Sequence, residues 1–148
     1  MGVCYNIKKR RFPLQIGIYK GDNMFEYRNI DGIDILKEKI PSKLQYWWQF
    51  GTILELNYNS KAIDEYYCDY TNMITLLLTD YDQQYKIELS LYNIRGNLNI
   101  DMANGFFSGF TIDEYLDSGS DNNFHLYSIE QDIEFDLYCE KIRAVLVQ

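Results

Sequence analysis

The sequence predicts an α+β domain, built as a mostly antiparallel β-sheet or sandwich with one or two short helices near the N-terminus. Apolar residues recur at helical spacing only in the first third of the chain, and afterwards they alternate with polar residues at a period of two. The candidate strands follow one another at short spacing without helices between them, which favours antiparallel pairing. The 148 residues contain no internal repeat and no Pro/Gly/Ser-rich linker, so we expect residues 1–148 to form a single domain.

The first helix is predicted to end at Pro41, because proline cannot continue a helix. Asp31 is expected to cap its N-terminus. The apolar stripe between these two residues consists of Ile33, Leu36 and Ile40.

Two further helical signals follow. Residues 42–45, Ser-Lys-Leu-Gln, have the composition of a capping box, which predicts a second short helix through Trp47 and Trp48 with Gly51 as its stop. Adjacent helical residues point about 100° apart, so we expect one of the two tryptophans in the core and the other on the surface. A third helical pattern covers residues 60–67.

The rest of the chain carries strand signals. Residues 73–79 form an apolar run short enough for a buried strand, and residues 132–137 show the cleanest alternation of polar and apolar side chains. A tight turn is predicted at Gly96-Asn97. The predicted strands cover residues 54–58, 73–79, 85–91, 98–100, 124–129, 133–139 and 142–147.

Negative charge is concentrated near the C-terminal end. Residues 113–140 contain nine carboxylates and no lysine or arginine, whereas the rest of the chain contains thirteen carboxylates and fourteen basic residues. The formal net charge of −8 argues against nonspecific binding to nucleic acids or anionic membranes, since both need a basic surface.

The predicted strand at 133–139 would place its acidic residues on one face, because alternate side chains of a strand point to opposite sides. Three interpretations of this stripe remain open: a solvated face partly neutralised across a hairpin by Lys141 and Arg143, a partner-binding surface, or a metal or catalytic site. The core-facing set would be Ile133, Phe135, Leu137 and Cys139, and the outward set Asp132, Glu134, Asp136 and Glu140, with Tyr138 among them.

Signals for a metal, a cofactor or catalysis are weak. His125 is the single histidine, and the three cysteines, at 4, 68 and 139, form no C-x-x-C pair. The acidic loop at 117–122 lacks the spacing of an EF-hand, and the chain contains no P-loop, G-x-G-x-x-G or G-x-S-x-G motif. We therefore expect no metal, no cofactor and no enzymatic activity, with a carboxylate- or divalent-metal-dependent hydrolase as the alternative.

Localisation is predicted to be cytoplasmic. The basic cluster at 8–11 is not followed by the apolar run and cleavage site of a secretory signal. No apolar run approaches the roughly twenty residues of a membrane span. The odd number of scattered cysteines is typical of reduced thiols in the cytosol.

The order of features resembles small β-rich immunity proteins of bacterial polymorphic-toxin and contact-dependent growth inhibition systems. The features are a short helix and a tryptophan before the strand at 51–56, the segment Ser-Gly-Phe-Thr-Ile at 108–112, and the run Tyr-Ser-Ile-Glu-x-Asp-Ile-Glu-Phe-Asp-Leu-Tyr-Cys-Glu-Lys-Ile at 127–142. The resemblance is strongest over residues 107–146. It implies a cytosolic protein that binds a cognate toxin domain and blocks it, and many such toxins are nucleases with basic active-site surfaces.

The leading hypothesis is therefore an immunity protein that occludes the active site of a toxin's C-terminal domain, with its carboxylates standing where phosphates would bind. Exposed aromatic residues beside acids suit such an interface, because they combine contact area with charge steering. The predicted contact residues are Trp48, Tyr66, Tyr67, Asp113, Glu114, Asp117, Asp121, Glu130, Asp132, Glu134 and Asp136.

Overall fold

The computed structural model describes residues 29–64, 69–101, 107–115, 123–128 and 132–147. Within these ranges, eight strands follow one α-helix and two short 3₁₀ turns. The helix is α1 (Ile33–Lys39), and the 3₁₀ turns cover Ser42–Leu44 and Trp47–Gln49. The strands are β1 (Thr52–Asp64), β2 (Asp69–Thr79), β3 (Lys86–Tyr92), β4 (Arg95–Ile100), β5 (Thr111–Glu114), β6 (Phe124–Tyr127), β7 (Ile133–Cys139) and β8 (Lys141–Val147).

The strands form two antiparallel four-stranded sheets. Sheet A has the order β1-β2-β3-β8, and sheet B has the order β4-β7-β6-β5. Every named strand pair is antiparallel, which confirms the predicted α+β class with a mostly antiparallel sheet architecture.

A bent two-stranded ribbon joins the two sheets. Only Asn93 and Ile94 separate β3 from β4, and only Glu140 separates β7 from β8. The register is continuous across the bend, since Tyr92 pairs with Lys141 in sheet A and Arg95 pairs with Tyr138 in sheet B. Both strands of the ribbon therefore cross from one sheet to the other at the same level, as strands do at the corners of packed sheets.

Side-chain amides hold this corner. Asn93 adopts a left-handed conformation (φ 54°), and its side-chain amide donates to Oε1 of Glu140. The amide of Asn72 donates to the carbonyl of Ile94 at 3.1 Å, and its oxygen accepts from the N–H of Ile94 at 2.7 Å. Backbone groups that leave a ladder need such partners, and Asn72 supplies them for Ile94, while Glu140 holds the side chain of Asn93.

The core lies between the inner faces of the two sheets. Leu89 of sheet A and Phe135 of sheet B are fully buried. An aromatic cluster fills one end, where Trp47 lies 5.6 Å from Phe110 and Phe110 lies 5.8 Å from Phe135, measured between ring centroids. The helix contributes Ile33 and Leu36, and Ile40 directly after it is also buried, so the predicted apolar stripe is confirmed.

The predicted cap of the helix is wrong. The N-cap residue is Gly32 (φ 87°), and no side chain caps the helix. Asp31 instead pairs with the edge strand β8, because its N–H donates to Ile142 O at 3.0 Å and its carbonyl accepts from Ala144 N at 2.8 Å. A Cβ atom on Gly32 would lie 2.0 Å from Ala144 O, so this close approach requires glycine.

The other two helix predictions fail as well. The second helix is replaced by the two 3₁₀ turns, neither of which has a side-chain cap. Residues 60–64 of the third belong to β1, where pairing with β2 overrides the local helical pattern, and residues 65–67 lie outside the described residues.

The predicted turn at Gly96-Asn97 is also wrong. Both residues lie within β4, and the chain changes direction at Asn93-Ile94 instead. No strand is predicted from the sequence at the position of the short strand β5. Among the described residues, no helix combines the length and apolar character needed to cross a membrane.

Candidate interaction surface

The outer face of sheet B is the main candidate site. Each of its strands alternates, so that one set of side chains packs into the core and the other points away from it. We use the name outer face of sheet B for the outward set: Arg95, Asn97, Asn99, Thr111, Asp113, His125, Tyr127, Glu134, Asp136 and Tyr138.

His125 lies at the centre of this face. Its ring stacks on Tyr138 with a centroid distance of 4.1 Å and an interplanar angle of 3°, and on Tyr127 at 4.6 Å and 29°. Its Nε2 atom lies 2.8 Å from Oδ1 of Asp136. The three rings therefore form an ordered aromatic row, and ordered rings contribute contact area at little entropic cost.

Asp113 is the cross-strand partner of His125. Burial raises the pKa of the Asp113 carboxyl above its usual value, while His125 and a hydrogen bond from the Tyr127 side chain act in the opposite direction. The Asp113 carboxyl is therefore partly removed from solvent, and it interacts with His125 and Tyr127 of the aromatic row.

Asp136 and Glu134 supply negative charge to the face. The side chain of Asp136 remains 65% exposed, although one of its oxygens is fixed by His125. Glu134 is half-buried on the same side of β7, and Phe135 and Leu137 between and beyond them are buried. The predicted alternation of β7 is thus confirmed at these positions.

Trp48 extends the face beyond the sheet. Trp47 is fully buried and Trp48 is 45% exposed, as expected for one core and one surface tryptophan. Tyr46 stacks on Trp48 with a centroid distance of 4.6 Å and an interplanar angle of 14°. A groove of about 230 Å³ lies between Trp48 and Tyr127.

One predicted contact residue, Glu114, lies away from this face. Glu114 points to the opposite side of β5 from Asp113, and its Oε2 accepts a 2.9 Å hydrogen bond from the side chain of Asn29. Asp132 precedes β7 and is half-buried, with its carbonyl accepting from Asp101 N at 2.7 Å. The remaining predicted contacts lie outside the described residues: Tyr66, Tyr67, Asp117, Asp121 and Glu130.

One of the three interpretations of the acidic stripe included partial neutralisation by Lys141 and Arg143 across a hairpin, and that pairing is wrong. Because the ribbon bends at Glu140, β7 and β8 belong to different sheets and do not pair with each other. Lys141 instead lies 3.2 Å from Asp31, with both side chains more than half exposed. An ion pair this exposed contributes on the order of 0–1 kcal/mol to stability.

Sequence reasoning missed the aromatic row. His125, Tyr127 and Tyr138 were not among the predicted contacts, although the alternation of Phe124 to Tyr127 places His125 and Tyr127 on one side of a strand. What the sequence could not supply is the register, which sets His125 beside Tyr138.

A second groove, of about 460 Å³, lies beside Glu114. Several of its polar side chains are already engaged, as in the Asn29–Glu114 and Asp31–Lys141 pairs. Among the described residues, no group of three or more His, Cys, Asp or Glu side chains is arranged to hold a metal ion.

Comparison with known proteins returned no match to any protein-family model, to curated proteins or to solved structures.

Proposed function

We propose that this protein binds a basic protein partner through the outer face of sheet B. The observation that carries the proposal is the combination, on one continuous face, of an exposed and a half-buried carboxylate with ordered aromatic rings. Glu134 and Asp136 supply the charge, and the stacked rings of Tyr127, His125 and Tyr138 supply rigid contact area. Interfaces are enriched in such aromatic residues, and complementary charge adds specificity and a faster encounter.

The partner we propose is the cognate toxin domain of an immunity pair in the bacterial cytoplasm. The resemblance of residues 107–146 to immunity proteins supports this class, and the net charge of −8 suits a basic nuclease. The protein would act by covering the toxin's active site, with carboxylates in the positions that substrate phosphates would take.

The proposal is tested by capture of the toxin domain on the tagged protein at low ionic strength. A basic toxin domain should be retained, should elute as salt is raised, and should lose its activity when the protein is added. The double variant Glu134→Lys with Asp136→Lys should capture much less of it.

The matched control is Glu55→Lys with Glu88→Lys, which makes the same change in net charge at exposed positions of sheet A. This control should capture the partner nearly as well as the unchanged protein. Equal capture by both variants would remove the outer face of sheet B from the interface.

A further inference from the structure

The groove between Trp48 and Tyr127 has walls fixed by the fold. It is lined by Trp48, Ser108, Gly109, Phe110, Thr111, Tyr127 and Ser128. Gly109 (φ +92°) lets the two backbones meet closely, because a Cβ atom there would lie 2.4 Å from the Cα of Trp48. Since Tyr46 stacks on the Trp48 ring, this wall of the groove is held in place before a partner arrives.

A carboxylate lies next to the aromatic walls. Thr111, Tyr127 and Asp136 are successive cross-strand partners on the outer face of sheet B, and neighbouring strands are about 4.8 Å apart. Oδ1 of Asp136 is engaged by His125. The side chain is otherwise 65% exposed, so a cationic group that reaches past Tyr127 meets a fixed carboxylate.

We propose that this groove accepts an arginine side chain of the partner; the inference rests on the proposed function and identifies its anchor. A guanidinium is planar, stacks on aromatic faces and donates to carboxylates in a fixed fork. Trp48 and Tyr127 in the groove wall offer the aromatic faces, and Asp136, the cross-strand partner of Tyr127, offers the carboxylate beside the groove. Lysine offers a strongly hydrated point charge instead, so it gains less from flat aromatic walls.

The test uses acetyl-arginine amide as the probe and acetyl-citrulline amide as its neutral control of the same shape. The indole N–H signals of the two tryptophans are followed by NMR, with the fully buried Trp47 as the internal reference. The arginine probe should shift the Trp48 signal in a saturable way and leave Trp47 unchanged. The citrulline probe should bind the unchanged protein at least about tenfold more weakly, because it lacks the positive charge. The arginine probe should bind the Asp136→Asn variant at least about tenfold more weakly, because the carboxylate is missing.

An unmoved Trp48 signal, or equal shifts with arginine and citrulline, would overturn the arginine assignment. This failure is distinct from failure of the proposed function, because capture of the toxin domain is measured on the whole interface and does not depend on binding of the arginine probe. With the partner in hand, Trp48→Ala should lower affinity about 30-fold or more, as expected for a central aromatic anchor. A change of less than about threefold would contradict the anchor role.

Discussion

Asp113 places a carboxylate in a half-buried position, and this makes stability depend on pH. Burial raises its pKa in the folded state above the ordinary value of 3.8. The folded protein therefore binds more protons than the unfolded chain between 3.8 and the raised pKa, and the contribution of Asp113 to stability falls as pH rises through that window. Below pH 3.8 the carboxyl is mostly protonated in both the folded and the unfolded state, so it adds little further pH dependence to the free energy of unfolding.

We predict that Asp113→Asn removes this dependence. The free energy of unfolding of the unchanged protein, relative to the variant, should increase as pH is lowered from neutral through the window. Urea unfolding at a series of pH values measures the difference. A difference that stays constant across the series would show that Asp113 is not desolvated.

Asp80 organises the loop between β2 and β3. It is 1% exposed, and its Oδ1 accepts hydrogen bonds of 2.8 Å from the backbone N–H groups of Gln84 and Tyr85. Asp80→Ala should lower the free energy of unfolding by about 1–3 kcal/mol, because two backbone donors lose their acceptor. Asp82→Ala, at an exposed position of the same loop, should change it by less than about 0.5 kcal/mol. Urea unfolding that gave equal losses for the two variants would contradict this role.

At the scale of elements, Gly96 is required for the pairing of β4 with β7. Its φ is +120°, and a Cβ atom there would lie 2.0 Å from the backbone oxygen of Asp136. Gly96→Ala should destabilise the protein by more than about 1 kcal/mol and raise hydrogen exchange along β4, since both the steric contact and the left-handed conformation disfavour alanine. Asn97→Ala, at the next exposed position, is the control and should have little effect. Equal exchange along β4 in the two variants would argue against this account.

The sequence could predict the elements whose signal is local. The alternation of β7 and the stripe of α1 were predicted because each is repeated over at least two turns or pleats, and burial of Phe135, Leu137 and Leu36 bears this out. β5 has four residues, which are too few to show a period. The bend of the ribbon depends on contacts of Asn93 with Glu140, which lies 47 residues away, and no local pattern carries that information.

The residues of the candidate site also include some that local sequence predicts and some that only the fold brings together. The sequence alone identifies Trp48 as a surface candidate, because Trp47 and Trp48 are adjacent and cannot both face the core. It identifies Glu134 and Asp136 because alternate residues of a strand share one face. The stacking of His125 on Tyr138 depends on the pairing of β6 with β7, and the separation of Glu114 from Asp113 depends on which side of β5 faces the core. These are consequences of register and topology, which a single sequence leaves undetermined.

At the scale of the whole molecule, charge and shape act at different ranges. The net charge of −8 attracts a basic partner over a distance of about 10 Å at 0.1 M salt, whereas stacked rings act only on contact. Raising the salt concentration should therefore slow association and change dissociation much less. Stopped-flow mixing with the partner at several ionic strengths measures both rates. A salt effect confined to dissociation would contradict steering.

We propose that the outer face of sheet B, and not the net charge alone, engages the partner. The most direct test is the association rate constant at low ionic strength for Glu134→Lys with Asp136→Lys, beside Glu55→Lys with Glu88→Lys. Both variants change the net charge equally, so steering by total charge affects them alike. We predict that the outer-face variant associates at least about tenfold more slowly than the control variant. Equal rate constants for the two variants would contradict the assignment of this face.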